Sequence, residues 1–224
     1  MRNLNNIIGA GLGLYKSVYV NLKFFKLKDA IKLPIIISNN VKIKSLKGQI
    51  KINGDIKTAM IKIGFGDIGT FDIKRRKSIL EINGVWECGN NINLGHGTKI
   101  SIGKLGILRM KNNITISAES AIICHNDITI GDNFLMSWDN IIMDTDFHKI
   151  KYVGENYRII NNDLPIVIED NVWIGCRCTI LKGTRIRNNS VLSATSRISK
   201  NIDESNVLIG NNGKIIKRSI LWEE

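Results

Sequence analysis

Residues 166–198 read IVIEDNVWIGCRCTILKGTRIRNNSVLSATSRI, and an aliphatic side chain returns at every sixth position of this stretch. The periodic positions are Ile168, Ile174, Ile180, Ile186, Leu192 and Ile198. This period matches neither an amphipathic helix nor an alternating strand, but it matches a coil of three short strands that each send one aliphatic side chain inward. Small side chains recur two positions earlier and leave the backbone room to turn, at Val172, Cys178, Thr184, Ser190 and Ser196. The stretch therefore predicts a mainly β fold, a β-helix of stacked coils.

Shorter sets with the same spacing precede this stretch. One set is Ile116, Ile122 and Ile128, and another is Ile130, Met136, Ile142 and His148. The second set ends in a histidine, so the repeat predicts His148 at a corner of the coil. Between His148 and Pro165 the repeat stops, and the polar residues 149–164 are expected to form a loop that protrudes from the scaffold. Such loops commonly carry binding function.

The charge of the chain is concentrated in its first third. Residues 1–77 contain 16 basic and 4 acidic side chains, whereas residues 78–224 contain 16 of each. A basic segment of this kind favours an anionic partner such as a membrane surface, a nucleic acid or an acidic glycan, and solvated lysines on outward strand faces are the alternative. Little aromatic interleaving and no RNA or DNA motif are found, which argues against nucleic acid.

Two regions are expected along the chain. Residues 1–33 predict a basic amphipathic segment of one or two short helices, which can lie on an anionic bilayer or pack on its own domain. Residues 34–221 predict the β-helix domain, which begins with alternating aliphatic and lysine positions. No apolar run is long enough to span a bilayer, and no signal peptide is evident. We expect a cytoplasmic protein, and contact with the inner face of the plasma membrane stays open.

Neither the cysteines nor the histidines predict a metal site. The four cysteines lack framework spacing and are interpreted as small buried thiols. The three histidines, His96, His125 and His148, are 29 and 23 residues apart, and these spacings disfavour zinc.

Three further stretches resemble the hexapeptide-repeat acetyltransferases. They are FLMSWDNIIMDTDFH (134–148), PIVIEDNVWIGCRCTILKGTRI (165–186) and VLIGNNGKIIKRSI (207–220). The resemblance is good over residues 94–221 and is similar to the sugar O-acetyltransferases of bacterial capsule and surface-polysaccharide synthesis. It implies a left-handed parallel β-helix, a homotrimer, and acetyl-CoA bound in the cleft between neighbouring subunits.

The resemblance implies that His148 is the general base. An acetyl group moves from the thioester to a sugar hydroxyl only if that hydroxyl loses its proton as it attacks, and an imidazole suits this near neutral pH. Attack would be direct, with a backbone N–H stabilising the oxyanion. A histidine bonded only for stability is the alternative.

Four residues near His148 are candidates for acceptor binding. Asp144 and Asp146 could orient the imidazole, bind sugar hydroxyls or anchor the turn. Trp138 offers an indole face and Asn140 an amide to a sugar, although Trp138 could instead pack at the trimer seam.

The resemblance also implies the acetyl-CoA site. Trp173, Cys176 and Ala194 match positions along the pantetheine arm, Ser199 and Lys200 match the nucleotide end, and Lys214 and Lys217 match cations beside the phosphates. The chain departs from the family at residues 193–196, SATS in place of Gly-Ala-Gly-Ser, and at residues 210–214, GNNGK in place of Gly-Asn-Pro-Ala-Lys.

The sequence therefore predicts an acetyl-CoA-dependent O-acetyltransferase acting on a sugar of a surface or capsular polysaccharide, either polymeric or lipid-linked. N-acetylation of an amino sugar stays open, since a histidine base serves both nucleophiles. So does a non-catalytic β-helix that binds glycan or membrane.

Overall fold

The structure is a computed structural model that describes residues 2–66, 68–72, 76–154 and 156–223, with residues 2–10 described by their backbone alone. Two helices come first, α1 (Arg2–Phe24) and α2 (Leu27–Ala30). The strands that follow form three sheets. Sheet A contains β1 (Ile35–Ile37), β4 (Ile61–Phe65), β7 (Ile92–Gly95), β10 (Ile114–Ile116), β13 (Phe134–Met136), β16 (Trp173–Ile174), β19 (Val191–Leu192), β22 (Val207–Ile209) and β23 (Ile215–Arg218).

Sheets B and C each contain seven strands. Sheet B contains β2 (Val41–Leu46), β5 (Ser78–Ile82), β8 (Lys99–Ile102), β11 (Ala121–Cys124), β14 (Ile141–Met143), β17 (Thr179–Leu181) and β20 (Arg197–Ile198). Sheet C contains β3 (Gln49–Ile52), β6 (Val85–Cys88), β9 (Ile107–Met110), β12 (Asp127–Ile130), β15 (Ile166–Ile168), β18 (Arg185–Ile186) and β21 (Asn201–Ile202). From β1 to β22 the chain visits A, B and C in turn, and each strand pairs in parallel with strands one coil away, so the predicted parallel β-helix is confirmed. The last strand, β23, pairs antiparallel with β22.

The hexapeptide positions form the core of this β-helix. All six aliphatic residues from Ile168 to Ile198 are at most 1% exposed, and the small residues that precede them are buried as well. Stacking continues through the parallel register, where Ile142 pairs with Ile180 and Ile180 pairs with Ile198. One aliphatic side chain per strand therefore stacks on its equivalents above and below, which is the physical basis of the six-residue period.

The corners between sheets C and A are built on asparagines that the sequence analysis did not identify. They are Asn91, Asn113, Asn133, Asn171, Asn189 and Asn206, all with φ between 53° and 58°. Asparagine tolerates this left-handed conformation better than most residues with a side chain. Neighbouring amides also bond to one another, as from Asn113 Nδ2 to Asn133 Oδ1 at 2.9 Å. At these six corners the chain therefore turns on a left-handed asparagine and not on a left-handed glycine.

Helix α1 covers the open edge of sheet A. Asn21 donates to the carbonyl of Ile35 at 2.7 Å and accepts from its N–H at 3.1 Å, while Ser17 accepts from the N–H of Ile37 at 2.9 Å. The helix thus satisfies edge groups that a further strand would otherwise pair. At 23 residues it is longer than the short helices expected, and one of its faces packs on its own domain. Within the part of the chain that the structure describes, no helix combines the length and apolar character needed to cross a bilayer.

Two corner lines frame the outer face of sheet B. The BC edge joins sheets B and C and comprises residues 47–48, 83–84, 103–106, 125–126, 144–165, 182–184 and 199–200. The AB edge joins sheets A and B and includes residues 137–140, 175–178 and 193–196. The loop predicted at 149–164 lies on the BC edge, where Lys151 and Ile159 form an antiparallel bridge. This loop is therefore a small hairpin.

Candidate active site

His148 lies on the BC edge, where the chain leaves sheet B after β14. The prediction placed it in one frame with Ile142, but Ile142 is fully buried and His148 is exposed. Phe147 adopts φ 61°, and its N–H donates to Thr145 Oγ1 at 3.1 Å, which closes a tight turn before the histidine. The turn carries His148 out of the coil, so solvent and ligands can reach it.

The backbone of His148 is fixed, whereas its ring is free. The N–H donates to the carbonyl of Asp146 at 2.7 Å, and the carbonyl accepts from Asn161 Nδ2 at 2.8 Å. The imidazole makes no hydrogen bond to any residue that the structure describes. A positioned histidine without an internal partner can exchange a proton with an incoming ligand.

Asn161 connects the loop back to the turn that carries His148. Its Nδ2 also donates to Asp146 Oδ2 at 2.8 Å, and its Oδ1 accepts from the N–H of Ile150 at 2.6 Å. Lys182, from the next coil, donates to Asp146 Oδ2 at 2.5 Å and to the carbonyl of Asn161 at 2.8 Å. Hydrogen bonds from Lys182 and Asn161 hold the pKa of the Asp146 carboxyl below its ordinary value. Asp146 therefore orders the loop as a carboxylate.

Asp144 has a different role from Asp146. It is fully buried, and its two carboxylate oxygens accept from the N–H groups of His125 at 2.7 Å and Asn126 at 2.8 Å. These amides belong to the corner of the preceding coil. Because both oxygens are occupied and no surface is exposed, Asp144 anchors the turn and does not contact an acceptor, which corrects its assignment to substrate binding.

Trp138 and Asn140 lie on the AB edge, away from His148. Asn140 is buried, its Oδ1 accepts from the N–H of Cys178 at 2.6 Å, and its Nδ2 donates to the carbonyl of Ser137 at 2.9 Å. Its amide therefore joins two coils and is unavailable to a sugar, which corrects the second assignment. Trp138 is half-buried. The width of β14 separates the backbones of the two edges by about 13 Å.

The predicted acetyl-CoA positions are divided between the two edges. Cys176 and the exposed Ala194 lie on the AB edge, and the exposed Ser199 and Lys200 lie on the BC edge. Trp173 faces outward from sheet A, where it donates to Ser137 Oγ at 3.2 Å and its ring lies 6.1 Å from that of Trp222. Lys214 and Lys217 are exposed near the C-terminal end. A small exposed corner and three exposed cations fit an elongated phosphate ester, and among these residues Lys200 shares the BC edge with His148.

The sequence analysis assigned no chemistry to His125, which lines a cavity beside the turn. Its ring meets Phe147 edge-on, with 4.8 Å between the ring centroids, and the cavity encloses about 630 Å³. No sequence signal identified this contact, since the two residues are separated by one whole coil. The third histidine, His96, is 1% exposed on the AB edge. Among the described residues, no three His, Cys, Asp or Glu side chains are grouped closely enough to hold a metal ion.

Comparison with known proteins agrees with this architecture. Residues 165–200 match the family described as bacterial transferase hexapeptide (six repeats). The putative lipopolysaccharide biosynthesis O-acetyl transferase WbbJ of Escherichia coli K12 is 27% identical over 148 residues, which cover 61% of this chain and 75% of WbbJ. The chain is thus similar to the hexapeptide-repeat acetyltransferases, and residues 165–200 carry the repeats of that family.

Two further proteins that the chain resembles are named as polysialic acid O-acetyltransferases. The polysialic acid O-acetyltransferase of Escherichia coli O1:K1 is 28% identical over 56% of this chain and 38% of its own length. The solved structure of the polysialic acid O-acetyltransferase OatWY superposes with a TM-score of 0.54 at 24% identity, over 82% of this chain and 91% of the other. This likeness shows the fold, a left-handed parallel β-helix. The chain spans only 38% to 57% of the length of six of the curated relatives that it matches.

The coil accommodates the side chains of residues 193–196, where the family has Gly-Ala-Gly-Ser. Ser193 Oγ donates to the carbonyl of Ile209 at 2.9 Å and lies 3.1 Å from Ser196 Oγ, so its side chain is used within the structure. Thr195 takes φ 62°, a conformation that glycine adopts without strain, and leaves its side chain exposed beside Ala194. Thr195 is therefore the added side chain at the exposed AB edge.

Proposed function

We propose that the protein transfers the acetyl group of acetyl-CoA to a sugar hydroxyl of a cell-surface polysaccharide or its precursor. His148 accepts the proton of the hydroxyl while the hydroxyl oxygen attacks the thioester carbonyl. The C–O bond forms, the C–S bond breaks, and the proton on His148 passes to the departing thiolate. Base catalysis of this kind contributes about 100- to 10,000-fold to rate.

The proposal rests on the exposure of His148 and on the contacts of its backbone and ring. It is the exposed histidine at the start of the loop, its backbone is fixed by Asp146 and Asn161, and its ring is free of partners within the described chain. His96 is buried, and His125 lies against Phe147. His148 thus fits a base for an external hydroxyl better than the other two.

A complete site requires a second copy of the chain. The acceptor side, with His148, lies on the BC edge, and the donor side, with Cys176 and Ala194, lies on the AB edge across sheet B. We infer that the BC edge of one subunit meets the AB edge of the next, and that three copies close a ring. This arrangement agrees with the homotrimer that the family resemblance implies.

The acceptor class follows from the relatives. WbbJ is named for lipopolysaccharide biosynthesis and another relative for polysialic acid, and both names specify O-acetyl transfer. A surface glycan, polymeric or lipid-linked, is therefore the acceptor that we propose. The three exposed lysines Lys200, Lys214 and Lys217 would hold the phosphates of the donor.

The test measures thiol release from acetyl-CoA over a panel of neutral, acidic and amino sugars. We expect His148→Ala to lose at least about 100-fold in rate with the best acceptor. Asn162→Ala, a control at an exposed residue of the loop that follows His148, should keep its rate within about threefold. Full activity of His148→Ala would show that another group is the base. No donor binding and no thiol release with any acceptor would favour a non-catalytic β-helix.

A further inference from the structure

Two adjoining cavities line the outer face of sheet B near α1. The first encloses about 780 Å³ between α1 and β2. The second is the cavity of about 630 Å³ beside His125. Both are bordered by Lys44 and Lys47, so together they form one continuous groove, here called the lysine groove. It begins at α1 and ends at His125 and Phe147.

The lysine groove is strongly cationic. Seven lysines line it: Lys16, Lys23, Lys42, Lys44, Lys47, Lys77 and Lys104. Among its described lining residues, Glu81 is the one carboxylate, and it is paired with Lys44 at 3.0 Å. The other six lysines have no carboxylate within 4 Å in the described chain. Clustered like charges without counter-charges repel one another, so an anion in the groove would be favoured.

The effect of this crowding is seen at Lys16. Its Nζ donates to the carbonyls of Asn39 at 2.6 Å and Val41 at 2.8 Å, and these bonds fix the ammonium group in the groove. Burial and repulsion from Lys77 lower the pKa of Lys16 below its ordinary value. An anionic group nearby would relieve that repulsion.

The groove leads to the proposed base. From β2 to β14 it crosses four coil spacings, about 19 Å, which suits several consecutive sugar units. Tyr15 and Tyr19, which line the first cavity, offer ring faces to sugar units. At its far end stands Phe147, the residue before His148. A polymer in the groove would therefore present one of its units beside His148.

We propose that the lysine groove binds an acidic glycan, a polymer or oligomer with carboxylates or phosphates along its length, as the acceptor of the acetyl group. This inference rests on the proposed function, because it names the substrate class of the same site. A concave groove that ends at the base favours a bound chain over a flat membrane surface. The lysines recognise the charges, and the groove sets which unit reaches His148.

The probe is a set of galacturonic acid oligomers, with their methyl esters as uncharged counterparts of equal size. We expect binding to the acid oligomers that weakens as salt is added, and binding to the esters that is at least about tenfold weaker. The triple variant Lys42→Gln, Lys47→Gln and Lys104→Gln removes three exposed groove lysines that lack carboxylate partners. It should lose about tenfold in affinity for the acid oligomers.

The control triple variant is Lys28→Gln, Lys57→Gln and Lys62→Gln, which removes the same charge outside the groove. It should bind like the wild type. Equal losses in both triple variants, or equal binding of acids and esters, would overturn the proposal. The proposal would also be overturned if both triple variants bound the acid oligomers with the affinity of the wild type. A third outcome would assign the groove to a membrane instead. In that outcome the wild type binds phosphatidylglycerol vesicles but no glycan, and the groove variant loses the binding to vesicles.

This experiment measures acceptor binding and needs no turnover, so its result is independent of the base. Acid oligomers that bind through the groove while His148→Ala stays fully active would refute the proposed base and leave the groove intact. Loss of activity in His148→Ala without groove binding would refute the acidic acceptor alone.

Discussion

Replacement of Asn161 by alanine tests whether the loop must be tied to the His148 turn. The substitution removes three side-chain hydrogen bonds, to Ile150 N–H, Asp146 Oδ2 and the carbonyl of His148. All three are exposed to solvent, so each is assigned the low value of about 0.5 kcal/mol, which gives about 1.5 kcal/mol in total. That free energy corresponds to about a tenfold rise in the ratio of open to closed loop.

Two measurements follow from this number. Amide hydrogen exchange at Ile150 should become about tenfold faster in Asn161→Ala, because exchange follows the ratio of open to closed loop. Thiol release from acetyl-CoA should fall by up to the same factor, because the rate follows the fraction of closed loop. The free energy of global unfolding should change little, because the loop lies outside the coil. Asn162→Ala is the matched control, since Asn162 is exposed and makes no hydrogen bond within the described chain. Equal exchange and equal rates in the two variants would refute the reasoning.

Two further predictions concern the carboxylates beside the loop. In Lys182→Met the pKa of Asp146, measured by NMR titration, should rise toward the ordinary value of about 3.9, because its first hydrogen-bond donor is lost. In the wild type the contribution of Asp146 to the stability of the loop should be complete above about pH 4, and it should be lost only as the pH falls through the lowered pKa. An unchanged pKa of Asp146 in Lys182→Met would contradict the role assigned to the Lys182 hydrogen bond. Asp144→Ala should lower the free energy of unfolding by about 3 kcal/mol in urea denaturation, because two N–H groups lose a charged acceptor. Asp144→Asn keeps one acceptor oxygen and should lose about half as much, and a loss below about 1 kcal/mol in Asp144→Ala would show that the turn has other anchors.

The coil could be predicted from the sequence because its core is periodic. Each hexapeptide position, such as Ile174 or Leu192, repeats the same inward direction, so spacing alone identifies the buried residues. The same spacing correctly predicted His148 at a corner, but it also put His148 in the frame of the buried Ile142, whereas the residue is exposed where the chain leaves the coil after β14. A sequence period indicates a regular backbone, but it does not indicate where the backbone leaves the regular coil.

The roles of the polar candidates depend on contacts between coils, which the sequence does not display. Asp144 and Asp146 are two positions apart, yet the first bonds the corner of the preceding coil and the second bonds Lys182 of the next. Asn140 is likewise committed to Cys178, 38 positions later. The lysine groove was indicated by composition alone, and its course toward Phe147 required the folded chain.

Mixed trimers test most directly whether the acceptor and donor edges come from two subunits. His148→Ala removes the base, and Ala194→Trp fills the exposed AB corner, so each variant should be inactive alone. Differently tagged copies are co-expressed, and oligomers carrying both tags are purified. Each mixed trimer then contains one interface with an intact His148 facing an intact Ala194, so about one third of wild-type thiol release should return. Folded mixed trimers that remain as inactive as the single variants would contradict the account.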